Sequence, residues 1–131
     1  MRRNKLKDKY NESAENYLET ILVLSKRLPE VRSVDIAKEL NFTKPSVSIA
    51  MKNLREKNHI RVTDAGFICL TDSGKAIAEM IYERHQILTK CLVSLGVPSE
   101  TAEKDACKIE HVISPESFEA IKACMAGSDD N

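Results

Sequence analysis

The chain has 131 residues, 42% hydrophobic and 31% charged, which excludes a disordered polymer and describes one medium domain or two small lobes sharing a core. No apolar run reaches the roughly 18 residues that span a bilayer, and the opening MRRNKLKDKY lacks the apolar stretch of a signal peptide. A cytoplasmic protein with no membrane partner is therefore expected. The net charge of zero hides an asymmetry: residues 1–70 carry +5 and residues 71–131 carry −5. A basic half that meets a polyanion and an acidic half with another task fit that division.

In chain order, residues 1–10 form a basic arm expected to fray. Ala14, Tyr17, Leu18, Ile21, Leu22, Ser25 and Leu28 repeat every three to four residues and predict a first helix from about Ser13 to Leu28, closed by Pro29. Ser33 is placed to cap a second helix, VDIAKEL. After Asn41-Phe42, Thr43 caps a third helix with Pro45 in its first turn and Val47, Ala50, Met51 and Leu54 facing inward. Ile60-Arg61-Val62 and Phe67-Ile68-Cys69-Leu70 alternate like strands around Thr63-Asp64-Ala65-Gly66, a hairpin pattern. Thr71 caps a long helix that runs to about Leu95 and stops at Gly96. A fifth helix starts near Pro98-Ser99 and runs through DACKIEHVIS. Ser114-Pro115-Glu116 restarts the chain in a last helix with Phe118, Ile121 and Met125 apolar, and the tail at 127–131 is expected to be disordered.

This order predicts a mostly α fold with one small β-hairpin: a winged helix-turn-helix over 1–71, then an all-helical part over 72–126. In the first part, the start of the third helix offers backbone N–H groups, hydroxyls and the positive end of the helix dipole at Thr43, Lys44, Ser46 and Ser48, suited to DNA phosphates. Pro45 and Ile49 suit thymine methyls, Ser46 is a small polar reader, Lys52 lies on the same face, and Arg61 on the hairpin is within reach of a neighbouring phosphate. The competing reading is a set of solvated positions, which for Lys52 and Arg61 is about as common. His59 reads as a plain surface histidine.

In the second part, Cys107, Glu110 and His111 stand at i, i+3 and i+4, on one face of a helix. Alone that pattern is weak, because a polar face meeting water or a buried thiol explains it. His85 sits midway along the fourth helix, and Asn16 and Glu19 share a face of the first. If the fifth helix packs against these two, the six residues converge. Imidazole, carboxylate and a thiol suit Fe²⁺, Mn²⁺, Co²⁺, Ni²⁺ or Zn²⁺ rather than Ca²⁺ or Mg²⁺.

AENYLETILVL (14–24), VRSVDIAKELNFTKPSVSIAMKNLREKNHI (31–60), LTDSGKAIA (70–78), YERHQIL (82–88) and DACKIEHVIS (105–114) together resemble the diphtheria toxin repressor and manganese transport regulator family of metal-dependent repressors, over about residues 13–125. The resemblance implies metal ligands at Asn16, Glu19, His85, Cys107, Glu110 and His111. Cys107 matches the iron-type branch and Glu19 the manganese-type branch, while Asn16 stands where methionine or aspartate is usual. Thr89 and Glu103 replace the glutamate and histidine of an ancillary site, and the SH3-like domain of longer members is not expected.

The implied function is a Fe²⁺- or Mn²⁺-responsive repressor of metal-uptake genes, not an enzyme, with Zn²⁺, Co²⁺ or Ni²⁺ able to substitute. Its partners are a palindromic operator in double-stranded DNA and a second copy of itself. An ion bridging the two parts would hold paired recognition helices about 34 Å, or a multiple of it, apart. The alternative is a winged-helix regulator without metal sensing, in which Cys107 is redox-responsive or structural.

Overall fold

The computed structural model describes residues 5–129. They divide into two compact units, Met1–Glu79 and Met80–Asn131, and the division falls inside a long helix. Described in turn, the first unit holds α1 (Lys5–Arg27), α2 (Ser33–Leu40), α3 (Lys44–Glu56), β1 (Ile60–Val62), β2 (Ile68–Leu70) and the start of α4 (Asp72–Ser94).

The stripe of α1 buries Tyr17, Leu18, Ile21, Leu22 and Leu24 against Ile36 and Ala37 of α2, Val47, Met51 and Leu54 of α3, and Ile68 of β2, while Ile60 of β1 packs on α3. Each fully buried Leu, Ile or Val contributes about 2 kcal/mol, so the three helices hold together through this shared centre. Helix α1 begins at Lys5, well ahead of the expected Ser13, because KLKDKYNE contains neither proline nor glycine to stop propagation. Residues 1–4 of the expected basic arm lie outside the described residues.

Helix α2 shows a second difference. Its N-cap is Arg32, not Ser33, and the Asp35 carboxylate reaches back to accept the Arg32 N–H at 2.9 Å. Asp35 supplies the negative end that the first turn needs, leaving Ser33 free to enter the helix. The helix ends on Asn41 in the left-handed conformation (φ 56°), and the Phe42 N–H closes on the Ala37 carbonyl at 3.0 Å. Asparagine tolerates that conformation, and the resulting tight turn is the link of a helix-turn-helix. Thr43 caps α3 as expected: its hydroxyl oxygen accepts the Ser46 N–H and donates to Ser46 Oγ at 2.8 Å.

The hairpin pairs Ile60 with Leu70, Arg61 with Cys69 and Val62 with Ile68. Gly66, at φ +85°, makes the turn, whose Thr63 hydroxyl accepts the Phe67 N–H at 3.0 Å. The Ile68 N–H donates to Val31 in the α1–α2 connection at 2.8 Å, which ties the wing to the helical body.

A dense joint connects α3, the hairpin and the first turn of α4. The carbonyl of Asn58, itself left-handed (φ 62°), accepts from the hydroxyls of Thr71 at 2.7 Å and Ser73 at 3.2 Å. The His59 carbonyl accepts the Thr71 N–H at 3.1 Å, and His59 Nδ1 lies 3.0 Å from Ser73 Oγ. His59 is thus half-buried and engaged rather than a plain surface histidine.

The second unit contains the rest of α4, α5 (Ser99–Ile109) and α6 (Pro115–Asp129). Helix α4 stops at Ser94, two residues before Gly96, whose φ of +102° suits glycine alone at low cost. Ala102 and Ala106 of α5, Ile81 and Leu88 of α4, and Phe118 and Met125 of α6 are its buried apolar residues. Lys122 meets Glu83 at 2.9 Å, and that bond holds the Lys122 ammonium above its ordinary pKa.

Helix α5 ends at Ile109, so Glu110 is its C-cap and His111 lies in the following turn rather than inside the helix. The β-branched Val112 and Ile113 and the approach of Pro115 account for the early stop. The turn stays close to helical, because the N–H groups of Val112 and Ile113 both return to the Ile109 carbonyl at 3.0 and 2.9 Å. Helix α6 continues to Asp129, which corrects the expected disorder from 127. One glycine near a helix end costs only about 1 kcal/mol, and no proline follows it. Residues 130–131 lie outside the described residues.

Candidate functional site

Helix α4 presents His85, α5 presents Cys107, and the C-cap of α5 presents Glu110. One ligand atom from each lies within 4.8 Å of the others. His85 Nδ1 is 2.9 Å from Glu110 Oε2, and His111 Nε2 is 3.3 Å from Glu110 Oε1. The Glu110 side chain is 0% exposed, that of His111 8% and that of His85 27%, whereas Cys107 stands at the surface. A polar face that simply meets water is therefore ruled out for this segment.

Glu110 is the telling residue. A carboxylate so far from water needs partners for both oxygens, yet Oε1 makes no hydrogen bond. His111 Nε2 approaches that oxygen at 3.3 Å without making a hydrogen bond to it. Donor atoms around a first-row ion at about 2.1 Å stand about 3 Å apart when adjacent, the separation found between His85 and Glu110. Two imidazoles, a buried carboxylate and an edge thiol are a donor set for a divalent transition ion, and the residues present fit such a group.

Asn16 and Glu19 belong to α1 of the first unit, where Glu19 is buried and Asn16 half-buried with its carbonyl accepting the Thr20 hydroxyl at 2.8 Å. Thr43, Lys44, Pro45, Ser46, Ser48, Ile49 and Lys52 are all exposed along the first two turns and outer face of α3, and Arg61 is exposed on β1. Ile49 is 63% exposed, unusual for an isoleucine on a helix whose other β-branched residue, Val47, is fully buried. An exposed apolar side chain among hydroxyls and lysines suits a surface that meets base edges.

Sequence reasoning missed Arg84. Its Nη1 donates to the carbonyls of Glu110 at 3.2 Å and Ile113 at 3.3 Å, and its guanidinium lies over the Phe118 ring at 5.5 Å. Its partners are main-chain carbonyls, which every residue possesses, so no spacing in the sequence announces them.

Comparison with known proteins adds identity to this geometry. Residues 9–64 match the family part described as "Iron dependent repressor, N-terminal DNA binding domain", and residues 71–129 match "Iron dependent repressor, metal binding and dimerisation domain". The transcriptional regulator MntR of Escherichia coli O6:H1 is 34% identical over 111 residues, covering 85% of this chain and 72% of that protein. An uncharacterised helix-turn-helix transcriptional regulator of Methanocaldococcus jannaschii is 32% identical over 117 residues, 88% of this chain and 94% of the relative. A solved manganese-dependent transcriptional repressor in complex with manganese superposes with a TM-score of 0.80 at 25% identity, over 86% of this chain and 52% of that one. The chain spans about half the length of that repressor and of the manganese regulator SloR, and 85% of the hypothetical protein SSo2273 from Sulfolobus solfataricus. Matched in both its parts, and aligned with relatives across most of their sequences, the chain belongs to the iron-dependent repressor family, the group of the diphtheria toxin repressor and the manganese transport regulator.

Proposed function

We propose that this protein is a metal-activated DNA-binding transcription regulator that works as a homodimer in the cytoplasm and represses metal-uptake genes. Residues 1–71 are its DNA-reading part and 72–126 its dimerisation and metal-binding part. The observation that carries the reading is the buried Glu110 carboxylate, set between His85 and His111 with Cys107 at its edge. The exposed Met80, Val93, Leu95 and Val112 of the second unit give a second copy apolar surface to cover. A winged-helix regulator blind to metal loses support, because the matched family part is one that binds metal.

His85, Cys107 and Glu110, whose ligand atoms cluster, and His111, whose Nε2 lies beside Glu110 Oε1, would hold the ion, Fe²⁺ or Mn²⁺, with Zn²⁺, Co²⁺ or Ni²⁺ able to take its place; the thiol makes the set softer than carboxylate alone. When bound, the ion supplies positive charge at a carboxylate that lacks a full set of partners. The chain does the rest. Any proton shared between His85 Nδ1 and Glu110 Oε2 must leave before both atoms ligate, so binding is coupled to proton release and weakens in acid. Asn16 and Glu19 enter as further donors on the strength of the sequence resemblance, and Glu19→Gln tests them in the titration below.

That titration starts from random duplexes selected by the protein in the presence of Mn²⁺. Selected sites should be inverted repeats, and their gel shift should appear with Mn²⁺ or anaerobic Fe²⁺ and vanish with a chelator. Chelator-resistant binding would sink the proposal. On the selected site, Lys44→Ala and Lys52→Ala should each reduce the slope of log affinity against log salt by about 1, the mark of one lost phosphate contact. Unchanged slopes would remove those lysines from the interface.

A further inference from the structure

We propose that Arg84 is a positioning residue for the metal centre: its guanidinium holds the turn bearing Glu110 and His111 in ligating geometry before any ion arrives. The inference rests on the metal-centre reading above and adds to it the group that preorganises the site. Arg84 precedes His85 on α4, so one turn of one helix supplies both a donor and the clamp for the opposing donors.

The clamp is specific. Glu110 closes α5 and Ile113 lies three residues beyond, where carbonyl groups have no helical N–H partner and carry the negative end of the helix dipole. Arg84 Nη1 donates to both carbonyls, at 3.2 and 3.3 Å, and bridges the two ends of the turn. The Phe118 ring under the guanidinium fixes its plane. Arg84 Nε, by contrast, is buried without a hydrogen-bond partner. A methionine would fill the same slot without leaving a donor unpaired, so packing alone does not account for an arginine here. The two carbonyls do. With the backbone of 110–113 pinned, the Glu110 carboxylate is delivered to His85 at 2.9 Å by the fold itself.

The test uses the full chain with Co²⁺ as probe, read by visible ligand-field bands and Cys107 thiolate charge transfer. Arg84→Lys and Arg84→Met should keep the far-ultraviolet circular dichroism of the metal-free protein, bind Co²⁺ about 10- to 100-fold more weakly, and show altered bands. A purely structural staple would move the melting temperature and leave the bands alone. Wild-type affinity with unchanged bands in both variants would overturn the inference. Should neither variant fold, hydrogen exchange of the wild type decides. The Val112 and Ile113 amides must be protected in chelator as they are with Co²⁺, and free exchange without the ion would overturn it. Glu110→Gln is the control that separates the two claims. Undiminished Co²⁺ binding there defeats the metal-centre reading and this inference with it, whereas loss there with normal Arg84 variants defeats this inference alone.

Discussion

Glu110→Ala should yield a folded protein whose DNA binding no longer responds to metal. The residue is the one fully buried ionisable side chain among the described residues, and both imidazoles of the site converge on it. Losing a partner that merely orients a ligand costs about 10- to 100-fold in metal affinity, and losing a carboxylate that touches the ion should cost more than that. The fold itself should tolerate the change, because a buried oxygen with no hydrogen bond weakens the metal-free state. Thermal unfolding reads both effects. Ion at 100 times its dissociation constant stabilises the wild type by about 2.7 kcal/mol, and that gain should be absent from Glu110→Ala while the chelated melting temperature stays level or rises. A variant that still gains stability from Mn²⁺ would remove Glu110 from the ligand set.

Gly74→Ala should be the most damaging small substitution in the first unit. Gly74 is buried in the first turn of α4 with an ordinary helical backbone, so conformational freedom is not the issue. Space is. An added Cβ would collide with the His59 carbonyl oxygen and lie 2.9 Å from its carbon. That carbonyl cannot retreat easily, because it accepts the Thr71 N–H while the neighbouring Asn58 carbonyl takes two hydroxyls. Overpacking against backbone costs about 3 kcal/mol, which for a chain of this size lowers the melting temperature by about 10 °C. DNA binding should fall further than stability alone explains, since the joint fixes the end of α3 relative to the wing. Normal melting and normal DNA affinity in Gly74→Ala would show that the joint is soft and its hydrogen bonds dispensable.

Much of the architecture was readable from local signals. The apolar stripe of α1, the Thr43-Lys44-Pro45 start of α3, the strand alternation on either side of Gly66 and the Ser114-Pro115 restart all reappear in the structure. Such signals act within a few residues: side-chain spacing sets the buried face, a hydroxyl caps a helix, and proline or glycine stops one. The departures also have local causes of similar size. Asp35 out-competed Ser33 as the source of a cap, α1 ran on for want of a breaker, and α5 closed at Ile109 before reaching His111.

Residue types alone determined that this chain is a helical protein with a wing, and offered Asn16, Glu19, His85, Cys107, Glu110 and His111 as donors of the kind a transition ion takes. Tertiary packing alone decided that Glu110 is dry, that Arg84 grips two carbonyls beside it, and that Gly74 leaves room for the His59 carbonyl. The reason is a matter of range. Periodicity and capping are written within one turn of chain, whereas the exclusion of water from a particular oxygen depends on whatever another helix lays over it.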